Sequence, residues 1–204
     1  MRQVVIATEN MGKFGEIRDL LADEFDTFHS LRDFDEKLSI QEDSPLYVEN
    51  AMKKARKIGD RFCLATIADD SGIEVEALGG RPGVLSARYG RNDGERIDRL
   101  LGELEGVPWE LRRAVFKAYI VLYLPEKERA HFFFGHLSGF IGFERRGAKG
   151  FGYDPVFYVP ELDRYLAELT VEEKNCLSHR GRAIYALKTF LQRDSFRNPR
   201  VLNQ

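Results

Sequence analysis

Residues 63–72 read Cys63-Leu64-Ala65-Thr66-Ile67-Ala68-Asp69-Asp70-Ser71-Gly72. The apolar opening has the length and content of a buried strand, with Cys63 as a small core residue, and Ser71-Gly72 is turn chemistry. The spacing therefore predicts a strand that breaks at Asp69-Asp70 and leaves two carboxylates at the rim of a sheet. Acids in that position either cap a turn or offer hard oxygen ligands to a cation such as Mg²⁺ held against phosphate.

Working outward, Val4-Val5-Ile6-Ala7 is a short apolar strand. It gives way to Thr8-Glu9-Asn10-Met11-Gly12-Lys13 and a helix with Phe14, Ile17, Leu20 and Leu21 on one face. Ser44 as N-cap and Pro45 at the first helical position predict a second helix carrying Leu46, Ala51, Met52, Ala55 and Ile58, closed by Gly59. Strand, helix, strand, helix, strand is an α/β opening. Gly79, Gly80, Pro82, Gly83 and Gly90 deny regular structure to residues 78–91. Asn92 with Glu95 forms a capping-box pattern ahead of Ile97, Leu100, Leu101 and Leu104.

Residues 114–124 and 130–143 are rich in aliphatic and aromatic side chains and flank Pro125-Glu126-Lys127-Glu128, the pattern of two long antiparallel strands. Residues 150–155 form a loop. Thr170 with Glu173 predicts a capped short helix, and Ser178 caps a last one through Ala183, Leu187 and Leu191. The polar stretch 195–204 is expected to be loosely held.

The 204 residues suit a single domain, 1–204, with no repeat or linker. A net charge of -2 supplies no general pull towards nucleic acid or a membrane surface. No apolar run approaches the ~20 residues that span a bilayer. Two cysteines, Cys63 and Cys176, are too few for a disulfide framework and have no metal-site spacing. With no signal-peptide pattern at the N-terminus, a cytoplasmic location is the expectation.

Four constellations carry chemistry. The turn 8–13 lies between a strand and a helix, where backbone N–H groups and the helix dipole draw phosphate. It lacks the Walker spacing, so it is either an anion site or a structural turn. Lys13 opposes the dipole there unless an anion lies between them. On the second helix, Asn50 and Lys54 share a face, and Glu49 with Lys53 has the spacing of a solvated ion pair. Glu42, just ahead of that helix, is placed to share a cation with Asp69 or Asp70. His179 and Arg180 open the last helix with the wrong sign for its dipole, a call for an anionic or electron-rich partner or else solvated surface charge. Phe151 and Tyr153, set between glycines, are either packing residues or a stacking wall for a base.

Taken together, these pieces resemble the inosine/xanthosine triphosphate pyrophosphatases, enzymes that remove non-canonical purine nucleoside triphosphates. The matching segments are Ala7-Thr8-x-Asn10-x-Gly12-Lys13; Glu42 with Glu49-Asn50-Ala51 and Lys54-Ala55; Ala68-Asp69-Asp70-Ser71-Gly72; and Leu78-Gly79-Gly80-x-Pro82-Gly83. Ser86-Ala87-Arg88-Tyr89, residues 150–155, and Glu172-Glu173-Lys174 with Ser178-His179-Arg180 complete the set in family order. Glu9, where Gly or Ser is usual, and Asp43-Ser44-Pro45, in place of Thr-Gly, depart from the pattern.

The resemblance implies an elongated α/β fold of two lobes around a cleft, with a central mixed sheet flanked by helices, and a homodimer. It implies hydrolysis of ITP, dITP or XTP to the monophosphate and pyrophosphate with Mg²⁺ on Glu42 and Asp70, supported by Asp69, and Asp70 as general base. Thr8, Glu9, Asn10, Met11, Gly12, Lys13, Lys54 and Ser71 would hold the phosphates. Phe151, Gly152, Tyr153, Asp154, Lys174, His179 and Arg180 would hold the base. The rivals are a nucleotide-binding regulatory module that does not hydrolyse, and a pyrophosphatase for modified pyrimidine nucleotides.

Overall fold

The computed structural model describes residues 2–35, 38 and 40–193; the tail 195–204 lies outside them. Seven strands form one mixed sheet in the order β2-β1-β3-β4-β5-β6-β7. They are β1 (Gln3–Ile6), β2 (Thr27–Ser30), β3 (Thr66–Val75), β4 (Arg113–Leu124), β5 (Arg129–Ile141), β6 (Phe157–Val159) and β7 (Arg164–Tyr165). β1 runs parallel to β2 and β3, and every pairing from β3 onward is antiparallel. The helices are α1 (Met11–Leu20), α2 (Tyr47–Phe62), α3 (Asp93–Glu103), α4 (Val171–Leu177) and α5 (His179–Gln192). None of the described helices is long and apolar enough to cross a membrane.

Strand alternation divides the core. Val4, Ile6, Ile67, Ile120 and Leu122 meet α1 and α5 on one face. Val5, Ala7, Ala68, Val121 and Tyr123 meet α2 on the other. Further along β3 to β5, Ile73, Val75, Phe116 and Leu137 pack with Leu100 and Leu104 of α3 and with Phe157 of β6.

Several expectations need correction. The central strand does not break at the acids. β3 passes through Asp69-Asp70-Ser71-Gly72 to Val75, paired residue by residue with β4 from Thr66↔Tyr123 to Val75↔Ala114. Ladder hydrogen bonds and two buried faces outweigh the turn propensity of Ser-Gly. Glycine at 72 answers a steric need instead, because a Cβ there would lie 2.3 Å from the carbonyl oxygen of Gly83.

Helix α2 starts at Tyr47, with Leu46 in the cap position. Ser44 lies two residues earlier, accepting from Leu46 N–H and donating to Glu49. Gly59 is interior to α2 and lets it approach the Tyr123 ring; the helix ends at Cys63, an exposed residue in the left-handed conformation. Glu49 and Lys53 do not pair with each other, since Lys53 reaches Asp43 at 2.5 Å. Asn92 caps α3 as expected, but Glu95 turns its carboxylate to Arg91 rather than closing the box. Thr170 and Glu173 close theirs, and Ser178 caps α5 through Gly181 N–H.

Candidate active site

β1 is short and β3 is long. β1 pairs with β3 only at Val5↔Thr66 and Ile6↔Ile67, followed by a bond from Ala7 N–H to Ile67 O of 2.8 Å. The next pairing on that edge is the bridge Glu74↔Pro82. Between them, at residues 68–71, no described strand covers the edge of β3. This notch is where the sequence places its carboxylates.

Because successive side chains on a strand point to opposite faces, Asp69 and Asp70 part company. Asp69 faces α1 and α5. It takes the Lys13 ammonium and the Ser71 hydroxyl on one oxygen and Arg180 Nε, at 3.0 Å, on the other. Burial opposes its charge, but Arg180 and Lys13 outweigh that and hold the carboxyl far below the usual carboxylate range. Burial also lowers the Lys13 pKa.

Asp70 faces α2, where Asn50 donates to Oδ2 at 3.2 Å and Lys54 Nζ lies 3.7 Å from Oδ1. Burial raises its pKa despite Lys54. The Lys54 ammonium also donates to the Asp69 carbonyl at 2.7 Å and pairs with Glu42 at 3.1 Å. It thus lies between the Glu42 and Asp70 carboxylates, while Asp69 has both oxygens taken by protein donors on the other side of the sheet.

The turn 8–13 follows β1 and is organised by its own side chains. Thr8 Oγ1 accepts from Asn10 N–H, and Asn10 caps α1 by accepting from Lys13 N–H at 3.0 Å. The first turn of α1 has no acid to complement the positive end of the dipole. Glu9 and Met11 are exposed. Gly12 abuts Phe151, whose ring carbon would lie 2.6 Å from a Cβ added there, so the turn and the loop 150–155 touch.

That loop is fixed at three points. Asp154 accepts from Phe151 N–H at 2.9 Å and from Lys174 at 2.5 Å, and Asp93, at the start of α3, accepts from Gly152 N–H at 2.7 Å. Tyr153 is not an open wall: it is buried in the core and donates its hydroxyl to Ser86 O at 2.9 Å. Phe151 is half-buried, with the Lys174 ammonium 4.5 Å and the Arg180 guanidinium carbon 5.6 Å from its ring centre.

Glu16, which the sequence reading missed, joins these parts. Its carboxylate takes Arg180 at 2.5 Å and Lys174 at 2.8 Å. Burial works against its charge, yet the two cations keep its pKa below the ordinary value. Its signal was a lone acid one turn after Lys13, between the core residues Phe14 and Ile17. Arg180 therefore spans Glu16, Asp69 and the Ser71 hydroxyl, the last at 3.0 Å. His179 is buried with its ring parallel to Phe116, centroids 4.6 Å apart, and its Nδ1 has no hydrogen-bond partner. Burial pushes its pKa well below the usual histidine value, so the ring is neutral.

The notch is thus lined by ion-paired cations and a half-buried aromatic ring on the α1/α5 side, and by two carboxylates around an ammonium on the α2 side. Among the described residues, no group of three or more His, Cys, Asp or Glu side chains is gathered as a metal centre. Glu42 and Asp70 remain as a pair of hard donors already holding one cation between them, the Lys54 ammonium. That pair suits Mg²⁺, which needs only one or two protein carboxylates when phosphate supplies the rest.

A profile of the Ham1 family matches residues 4–190. The dITP/XTP pyrophosphatase of Geobacter sulfurreducens is 45% identical over 194 residues, covering 94% of this chain and 97% of the relative. That of Halalkalibacterium halodurans is 42% identical over 194 residues, covering 94% and 100%. Among solved structures, a HAM1 protein from Coxiella burnetii superposes with a TM-score of 0.83 at 40% identity, covering 94% of this chain and 98% of that one. The Ham1 protein of Staphylococcus aureus gives 0.82 at 36%, with the same coverage. With almost its whole length matched in sequence and in fold, the chain belongs to the Ham1 family.

Proposed function

We propose that this protein hydrolyses non-canonical purine nucleoside triphosphates, ITP, dITP and XTP, to the monophosphate and pyrophosphate, with Mg²⁺ as cofactor. The observation that carries this reading is the two-sided notch. One strand edge presents a carboxylate pair around a cation on one face and, on the other, Lys174 and Arg180 in an ion-pair network beside the Phe151 ring. The name printed for the relatives, dITP/XTP pyrophosphatase, agrees with it.

Glu42 and Asp70 would hold the ion; when bound, Mg²⁺ neutralises charge on the phosphate oxygens and favours departure of pyrophosphate. Lys13 and Lys54 supply further positive charge to the tail, and the turn 8–13 supplies the N-terminal end of α1. Asp70 takes the proton from the attacking water. Asn50 fixes its orientation. As the water oxygen bonds to the α-phosphorus, the bond from that phosphorus to the bridging oxygen breaks and pyrophosphate leaves.

On the other face, Lys174 and Arg180 retain N–H groups beyond those spent on Glu16, Asp154, Asp69 and Ser71. They favour a base with a 6-oxo acceptor, and an adenine amino group would face donors without a partner. Such a mismatch costs about 1–3 kcal/mol, or tenfold to a hundredfold in selectivity. A cytoplasmic homodimer is part of the same proposal.

The test is incubation of the protein with Mg²⁺ and separately with ITP, dITP, XTP, GTP and ATP, with chromatography of the products. Monophosphate and pyrophosphate from the first three, at rates at least tenfold above ATP, are expected. Binding without turnover, or release of inorganic phosphate, would overturn the reading.

A further inference from the structure

Lys54 enters the notch from α2, and its ammonium has three N–H groups to place. Three protein oxygens surround it: the Asp69 carbonyl at 2.7 Å, Glu42 Oε1 at 3.1 Å and Asp70 Oδ1 at 3.7 Å. The other Asp70 oxygen accepts from Asn50 at 3.2 Å, so the one turned to the ammonium is the one without a neutral donor. Neighbouring lysines have other partners, since Lys13 pairs with Asp69 on the opposite face and Lys53 turns out to Asp43. Among the described residues, Lys54 is thus the cation that balances both Glu42 and Asp70.

The oxygens suited to a divalent ion are therefore the ones this ammonium already faces. Two cations held by the same pair of oxygens repel each other strongly at so short a distance. Free Mg²⁺ must also give up part of a tightly held water shell, and it meets a carboxylate pair whose charge Lys54 has halved. A triphosphate changes both conditions, because its oxygens offer the ammonium new partners and supply most of the ion's ligands. The side chain has the means to move. It is a flexible four-carbon stem, and its surroundings open at Glu42, whose side chain is 37% exposed against 10% for Lys54 and 8% for Asp70.

We propose that Lys54 is a gating residue: it is the resident counter-ion of the Glu42–Asp70 pair, keeps that pair closed to a free divalent ion, and yields it when a nucleoside triphosphate draws the ammonium onto phosphate. The ion then enters with the nucleotide and not ahead of it. This rests on the Mg²⁺-dependent pyrophosphatase reading and adds to it an order of events. A lysine that merely pinned α2 to the Asp69 carbonyl would leave metal affinity unmoved when replaced.

The experiment titrates nucleotide-free protein with Mn²⁺, a paramagnetic stand-in for Mg²⁺, and measures the free ion by electron paramagnetic resonance. Lys54→Gln keeps a polar, N–H-bearing side chain and removes the charge; Lys54→Met is the second variant. Either should bind Mn²⁺ at least tenfold more tightly than wild type. Mg²⁺ should raise the melting temperature of the variants and leave that of wild type unchanged. Adding Asp70→Asn to Lys54→Gln should abolish the gain. A gain below tenfold, or one that survives Asp70→Asn, overturns the proposal. Wild type alone also decides: uptake of an equivalent of Mn²⁺ at micromolar concentration without nucleotide overturns the proposal, and uptake only at higher concentration supports it even if neither variant folds. All of these measurements are made without turnover, so wild type that fails to hydrolyse ITP refutes the pyrophosphatase reading as a separate result.

Discussion

Asp69 and Asp70 are adjacent in the chain and stand on opposite faces of the sheet, the first held by Lys13 and Arg180, the second reached by Asn50 and Lys54. The pair therefore divides its labour between structure and chemistry, and the two substitutions to asparagine separate these roles. Asp70→Asn keeps the shape and the Asn50 contact but removes the base. Turnover of ITP should fall by ~10²–10⁴ with the fold intact, measured by pyrophosphate release and circular dichroism. Asp69→Asn should instead cost about 3–5 kcal/mol in urea unfolding, because Lys13 and Arg180 lose their shared counter-charge in a buried place.

The pH dependence of those two variants has opposite signs. The Asp69 carboxyl is lowered in the fold, so its contribution to stability is complete above the unfolded value of about 3.9 and is lost as pH falls through the folded one. The deficit of Asp69→Asn should stay constant between pH 7 and 5. The Asp70 carboxyl is raised, so its ionisation opposes folding above the folded value, and the penalty is gone below about 3.9. Asp70→Asn should be more stable than wild type at pH 7, by a margin that shrinks towards pH 4. Urea titrations at those pH values check both.

Gly12→Ala tests the contact between the phosphate turn and the base loop. The new methyl would meet the Phe151 ring at 2.6 Å, too close for van der Waals contact, and the ring must move. A KM for ITP raised about tenfold with smaller change in kcat is expected from steady-state kinetics.

Glu16→Gln removes the charge that holds Lys174 and Arg180 together while keeping the side chain's size. With those donors less fixed, the ratio of kcat/KM for ITP over ATP should fall about tenfold, read from the two substrates in parallel.

Chelation tests the cation proposal. EDTA should abolish ITP hydrolysis, and excess Mg²⁺ should restore it. The melting temperature of the nucleotide-free protein should be unchanged, since Lys54 already bridges Glu42 and Asp70.

The long antiparallel pair β4–β5, the capped helices α4 and α5 and the strand–helix–strand opening were legible because each rests on local periodicity or capping chemistry. The extent of β3 was not. Ser71-Gly72 carries turn propensity, and only the neighbouring β4 ladder and the pressure of Gly83 show why a glycine belongs inside a strand. Cys63 was misplaced for a related reason: the helix before it runs on past Gly59, and that glycine is there for Tyr123, contributed by a strand 64 positions later. At the site, Asn50 and Lys54 showed their shared face through spacing alone. Glu16 did not stand out, because its partners Lys174 and Arg180 come from α4 and α5, and a lone acid on a helix has no local mark of its role.

The notch exists because two neighbouring strands differ in length, four residues against ten. Had β1 continued for another pair of residues alongside β3, its backbone would have sealed the gap and gained ladder bonds. The doorway to the carboxylates is thus made by stopping early, and any insertion that lengthened β1 would strengthen the sheet while shutting the enzyme.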